Sequence, residues 1–175
     1  MRIFLTVLFF SFSLSLSAQK VADFSNRLYF LAPEIDSLKC EVFAECDCCS
    51  DEICFLNNTQ FIRLFYCLHN NSATSGTYKV LGNKLLLVYK GKVVTKIFDE
   101  DYYNKNNGTK GKYSWETASI GAYTDTISIS FCNNSLKLTE KGEEILYGEI
   151  SRHNSYKEAL AELKKEGFWK RLGFK

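Results

Sequence analysis

Proline is nearly absent: Pro33 is the only one in 175 residues. That excludes proline-rich spacers and polyproline recognition segments. A marked excess of either charge is also missing, with 22 Lys+Arg against 20 Asp+Glu. Phosphate-backbone binding needs a clear basic surplus, so nucleic acid is excluded as an expected partner. The chain has two histidines, His69 and His153, which leaves little room for imidazole catalysis. It has no G-x-S-x-G, P-loop, G-x-G-x-x-G or H-E-x-x-H pattern, so none of these signatures supports an enzyme. The longest nearly unbroken apolar run, Ile3 to Phe12, falls short of the roughly 20 residues of a spanning helix.

What is present begins with that run. Arg2 precedes it and Ser15-Leu16-Ser17-Ala18 follows it, which is the plan of a secretory signal peptide cut before Gln19. An uncleaved anchor is the weaker alternative. The expected first residue is glutamine, not cysteine, so no lipid anchor is indicated. Residues 1–18 are therefore read as signal and 19–175 as one exported domain, periplasmic or secreted. Cleavage leaves 175 − 18 = 157 residues and, without Arg2, 21 basic against 20 acidic groups. One domain of that size buries a proper core.

The mature chain reads mostly as short strands. Val21, Phe24, Leu28 and Leu31 have helical spacing before Pro33, which predicts a short N-terminal helix. Leu28 to Leu31 alone also reads as a strand. Leu38 to Ala44 alternates loosely. Glu52 to Leu56 and Gln60 to His69 flank Asn57-Asn58-Thr59 as a hairpin. Asn70 to Ser75 reads as a polar loop. Gly76 to Leu81 and Lys84 to Tyr89 are strands joined by Gly82-Asn83. Lys90-Gly91-Lys92 reads as another turn, leading into Val93 to Phe98. Asp99 to Lys112 reads as a loop, and its Asp99-Glu100-Asp101 cluster lacks the ligand spacing of a calcium loop. Tyr113 to Thr117, Tyr123 to Cys132, Leu136 to Thr139 and Glu144 to Ile150 complete the strands. Ser155 with Glu158 forms a capping box for a helix over about 155–166, with Tyr156, Ala159, Leu160 and Leu163 on one face. Gly167 ends it. The aromatic, basic tail from Phe168 to Lys175 is expected to dock on the fold, with an anionic membrane surface as the weaker reading.

The expected fold is all-β. It is a mostly antiparallel meander closing into a small lipocalin-like barrel of about eight strands, with a C-terminal α-helix. Closure removes the exposed edges of such a meander. A barrel of this size is filled by side chains or holds one small ligand.

The cysteines are the densest chemical feature. Cys40, Cys46, Cys48, Cys49, Cys54 and Cys67 fall within 28 residues, and Cys132 stands apart. In an exported chain such residues usually pair, so all seven are disulfide candidates, and an odd number leaves at least one unpaired within the chain. Cys54 and Cys67 lie on opposite arms of the predicted hairpin; Cys132 is either the orphan or a partner for Cys40. A second reading is a soft-metal site, copper or zinc, built from Cys46, Cys48, Cys49, Cys54, Cys67 and His69. The C-x-C-C spacing departs from the paired C-x₂-C spacing of structural zinc sites. A third reading is thiol exchange. Glu45, Asp47 and Asp51 surround the packet, and nearby carboxylates make thiolates rarer.

The stretch from the C-x-C-C packet through C-F-L-N-N-T-Q-F to G-T-Y-K-V-L-G-N-K-L-L-L resembles the N-terminal barrel of NlpE-type envelope lipoproteins. It is also similar to small lipocalin-like barrels of Bacteroidetes. The resemblance rests on Cys46, Cys48, Cys49, Phe55, Phe61, Gly76, Thr77, Tyr78 and Leu85 to Leu87, about a quarter of the chain. It implies an envelope barrel, with copper or stress sensing as that family's association. The missing anchor cysteine and the extra cysteines depart from that pattern. The reading that follows is a non-enzymatic, disulfide-stapled exported barrel. It would bind a small apolar ligand or an envelope protein and need no cofactor, metal sensing and thiol redox being the alternatives.

Overall fold

A computed structural model describes residues 23–32, 34–36, 41–43, 49–67, 70–132, 135–140, 146–149 and 155–175. The signal segment, Cys40, Cys46, Cys48, His69 and His153 lie outside them. The strands are β1 (Arg27–Ala32), β2 (Glu34–Asp36), β3 (Glu41–Phe43), β4 (Cys49–Phe55), β5 (Gln60–Cys67), β6 (Asn70–Leu81), β7 (Lys84–Phe98), β8 (Tyr113–Ser119), β9 (Tyr123–Cys132), β10 (Ser135–Glu140) and β11 (Leu146–Glu149). The helices are α1 (Glu100–Lys105), α2 (Ser155–Glu166) and α3 (Phe168–Arg171).

The main sheet runs β6-β5-β4-β1-β11-β10-β9-β7-β8, and β6 also pairs with β7. That last pairing closes β1, β4, β5, β6, β7, β9, β10 and β11 into a ring, each strand antiparallel to its neighbours. The expected eight-strand antiparallel meander is thus the observed one, with β2–β3 and β8 as excursions from it. β7 is long enough to serve two partners. Lys84 to Tyr89 pair with β9, and Lys92 to Phe98 pair with β8. β8 therefore extends the sheet beyond β9 on the upper part of β7, a flap that stays joined through β6 to β5 and β4.

Period-two alternation sorts the side chains between two cores. Inside the ring, Phe24, Tyr29, Ile53, Phe55, Phe61, Tyr78, Leu85, Leu87, Ile127, Ile129 and Leu138 pack together. Aromatic contacts dominate the lower end, with Phe24 tilted on Phe55 at 5.0 Å and Tyr78 edge-on to Phe55 at 4.8 Å. Phe24 belongs to the segment just before β1, so the incoming chain itself plugs that end. Outside the ring, Ile62, Leu64, Ala73 and Val94 are covered by Leu163, Phe168 and Leu172. Leu28 and Cys54 lie under Ala159.

Four expectations need correction. Residues 27–32 form no helix: β1 is held on both sides by β4 and β11, and two ladders of strand pairing override a weak helical period. Asn70 to Ser75 is the first half of β6 rather than a loop. Its polar residues belong there because Ser72 and Thr74 hydrogen-bond across to Thr95 and the Lys92 carbonyl. Lys90-Gly91-Lys92 does not reverse the chain. It is an irregularity within β7, where the β6 register shifts between Thr74 and Gly76. Gly91 is left-handed there (φ 73°), and a Cβ would stand 2.2 Å from the Gly121 carbonyl oxygen. Asp99 to Lys112 contains α1, because the Asp99 side chain accepts from the Tyr102 amide at 2.9 Å and caps it.

The C-terminal helix forms over the expected residues, burying Ala159 and Leu163. Gly167, left-handed at φ 88°, then turns the chain into α3. The tail docks on the flap. Phe168 sits edge-on to Trp115 at 4.9 Å, the Arg171 guanidinium lies 3.9 Å over the same indole, and Lys96 pairs with Glu166.

Candidate functional site

Phe24, Phe55 and Tyr78 pack the lower end of the lumen, with a shallow recess of about 530 Å³ outside Phe24 and Tyr78, whereas charged inward side chains gather at the upper mouth. There the inward positions of β4 and β5 continue from Ile53 and Phe55 to Asp51, and from Phe61 to Arg63 and Phe65. Register sets Asp51 opposite Phe65 and Arg63 opposite Thr74. β7 contributes Tyr89 and Val93, and β9 contributes Tyr123 and Asp125, with Tyr123 opposite Tyr89.

Arg63 is the centre of this group. Its Nε donates to both Asp51 carboxylate oxygens at 3.0 and 3.1 Å, and Nη2 donates to Asp51 Oδ2 at 2.7 Å. Nη1 donates to the Tyr89 hydroxyl at 3.0 Å and lies 3.7 Å from Asp125 Oδ2 across the lumen. The Asp51 and Arg63 side chains are only 10% and 19% exposed. A pair this enclosed needs such bidentate geometry to offset its desolvation. Tyr89 is buried and stacks flat on half-exposed Tyr123 at 4.3 Å, with 8° between the planes. Burial pushes the Tyr89 hydroxyl well above the usual phenol range, with Arg63 pulling the other way. It therefore stays a neutral phenol facing the guanidinium.

Above these groups is an open recess of about 250 Å³. Asp51, Arg63, Phe65, Thr74, Val93 and Tyr123 line it, with Ser72 and Ala73. Ligand pockets for drug-sized molecules run from roughly 300 Å³ upwards, so this one suits a smaller guest.

The four described cysteines fall in three places. Cys49 and Cys67 face each other in register and form a disulfide across a sequence separation of 18. The bridge sits at the rim, one inward step beyond the Asp51–Phe65 pair. Cys54 is not the partner of Cys67, because register sets it opposite Ile62 on the outer wall. Its thiol is free and buried, and burial, followed by Glu52, pushes it up to about 12. Cys132 ends β9. Of the proposed metal ligands, then, Cys49 and Cys67 hold no thiolate while oxidised, and Cys54 lies on the other side of the wall. Among the described residues no three His, Cys, Asp or Glu side chains converge on one point.

The outer wall carries one more titrating group. Glu52 of β4 is half-buried, and its carboxyl is raised to about 7 by burial, then by Glu162 and Asp51.

Sequence reasoning did not single out Arg63, Asp125, Tyr89 or Tyr123. The available signal was phase: Asp51, Arg63 and Asp125 occupy the same alternate positions as buried Ile53, Phe61 and Ile127. A charge in the apolar phase of a strand marks a polar interior.

What the geometry defines is a small closed antiparallel barrel, plugged at one end, with a polar recess at the other. No protein-family model matches the chain, and no curated protein matches it. Among solved structures it is similar to a streptavidin-like protein from Bacteroides eggerthii DSM 20697, with a TM-score of 0.51 and 15% identity. The alignment covers 83% of this chain and 93% of that one. That likeness supports the streptavidin-like barrel as the fold. It does not favour the NlpE or lipocalin varieties of barrel.

Proposed function

We propose that the protein is an exported, non-enzymatic binding barrel whose upper mouth receives a small ligand. The observation that carries this reading is the Asp51–Arg63–Tyr89 network. It holds charged groups at inward positions at considerable desolvation cost, next to a recess of about 250 Å³. Structural needs alone would be met by apolar residues there, as they are further down the lumen. The apolar volume is occupied by Phe24, Phe55 and Tyr78, so a guest would meet Phe65 and Tyr123 on one side and charged groups on the other. A ligand with both an apolar and a polar part fits this lining better than a purely apolar one.

Export is supported by the signal pattern before Gln19 and by the Cys49–Cys67 bridge, since disulfides persist in oxidising compartments. The test is a small-molecule screen of the mature chain, read by NMR of the Tyr89 and Tyr123 rings. Ligands that shift those rings should lose roughly tenfold or more in affinity when the aromatic anchor is removed by Tyr123→Ala. Hits that bind Tyr123→Ala as well as the parent chain would remove the mouth as the site.

A further inference from the structure

The lining points to a charge class. We infer that the recess takes a small organic cation, a primary or secondary ammonium on a compact apolar group, with the ammonium directed to Asp125 and the apolar part against Tyr123. This rests on the mouth being the binding site.

The first observation is the balance of charge. Among the described residues, two carboxylates, Asp51 and Asp125, face one guanidinium, Arg63, so these three side chains sum to one net negative charge. Of the side chains that line the recess, Asp51 and Arg63 are charged and the others are neutral; Asp125 stands beneath that lining, beside Arg63. The second is how the donors are engaged. Arg63 directs Nε and Nη2 to Asp51 and Nη1 to Tyr89, so an anionic guest would gain little from it and would meet two carboxylates.

The third is the state of Asp125. Its contact with Arg63 is 3.7 Å, longer than a hydrogen bond, and among the described residues its carboxylate accepts none. Its side chain is 28% exposed, one inward step below Tyr123 on the same strand. An ammonium there would form the charge-assisted bonds that Arg63 does not. The rings of Tyr123 and Phe65 line the same recess, and the negative quadrupole density of their faces also favours a cation.

The experiment compares three probes of similar size: 2-phenylethylamine, 2-phenylethanol and phenylacetate. Each is titrated into the mature chain by calorimetry, with the Tyr89 and Tyr123 rings followed by NMR. The amine should bind roughly tenfold tighter than the alcohol, the acid should be weakest, and added salt should narrow the gap. Asp125→Asn, a near-isosteric change, should bring the amine level with the alcohol. An amine preference that survives in Asp125→Asn would overturn the role of Asp125. Equal binding of all three at the mouth, or preference for the acid, would overturn the cation class while leaving the mouth as the site. If no probe moves the two rings, the mouth reading itself fails with it.

Discussion

Asp51 grips Arg63 along one edge of its guanidinium, with three hydrogen bonds between 2.7 and 3.1 Å on adjacent strands. Removing one partner leaves the other charged and enclosed. Arg63→Met should therefore lower stability by about 3 kcal/mol, more than an exposed ion pair is worth. Replacing both, Asp51→Leu with Arg63→Met, should recover most of that loss. Urea unfolding of the two variants checks both statements. A single variant as stable as the parent would show that the pair is solvated.

Glu52 sets a pH dependence of the opposite sense to an ordinary paired carboxylate. Its folded value is raised from 4.5 to about 7, chiefly by burial. Below pH 4.5 the carboxyl is neutral in both states and costs nothing. As pH rises from 4.5 the unfolded chain ionises first, so stability is lost progressively until the folded carboxyl ionises near 7. At about 1.4 kcal/mol per pKa unit, the loss is on the order of 3 kcal/mol, complete above pH 7. Glu52→Gln should match the parent at pH 4 and exceed it at pH 8. Chemical unfolding at the two pH values reads this, and equal stability at pH 8 would contradict it.

The barrel and the C-terminal helix were legible because their signals are local. Alternation in Thr126 to Phe131, Asn-rich turns and the capping box all lie within a few residues. The misreadings came where partners outside the segment decide. β1 is a strand because β4 and β11 flank it, and residues 70–75 are a strand because the flap pairs them with β7. The site was harder still. Arg63 and Asp125 are 62 positions apart (125 − 63) and meet across the lumen, which only closure of the ring dictates. Asp51, which reads as an acidic neighbour of the cysteines, is an inward strand residue.

The thiols should separate cleanly by reactivity. Cys49 and Cys67 are bridged, and a loop of this length contributes about 3 kcal/mol in the chain-entropy account. The Cys49→Ser, Cys67→Ser double variant should unfold at correspondingly lower denaturant. Cys54, buried and raised to about 12, should resist iodoacetamide at pH 8 in the native state and react once unfolded. Peptide mapping after native and denatured alkylation identifies it. Labelling of native Cys54 at the rate of a free thiol would show that α2 opens readily.

The tail after Gly167 covers wall that the barrel cannot cover itself. Phe168 and Leu172 are buried against Ile62, Leu64, Ala73 and Val94, and Arg171 and Phe168 hold Trp115 from two directions. Removing residues 168–175 leaves the inner core and the ring of strand pairings intact but uncovers that outer patch. The truncated chain should keep its β-type circular dichroism, bind a hydrophobic dye, and lose about 3 to 6 kcal/mol, since it removes buried Phe168 and Leu172 and burying each large apolar side chain contributes about 1.5 to 3 kcal/mol. Phe168→Ala alone should lose a similar amount by leaving a cavity against Trp115, within the roughly 3 to 5 kcal/mol of such changes. Arg171→Ala should cost only about 1 kcal/mol, the scale of a partly exposed cation–π contact. If truncation leaves stability unchanged and no dye binds, the tail rests on the wall without holding it.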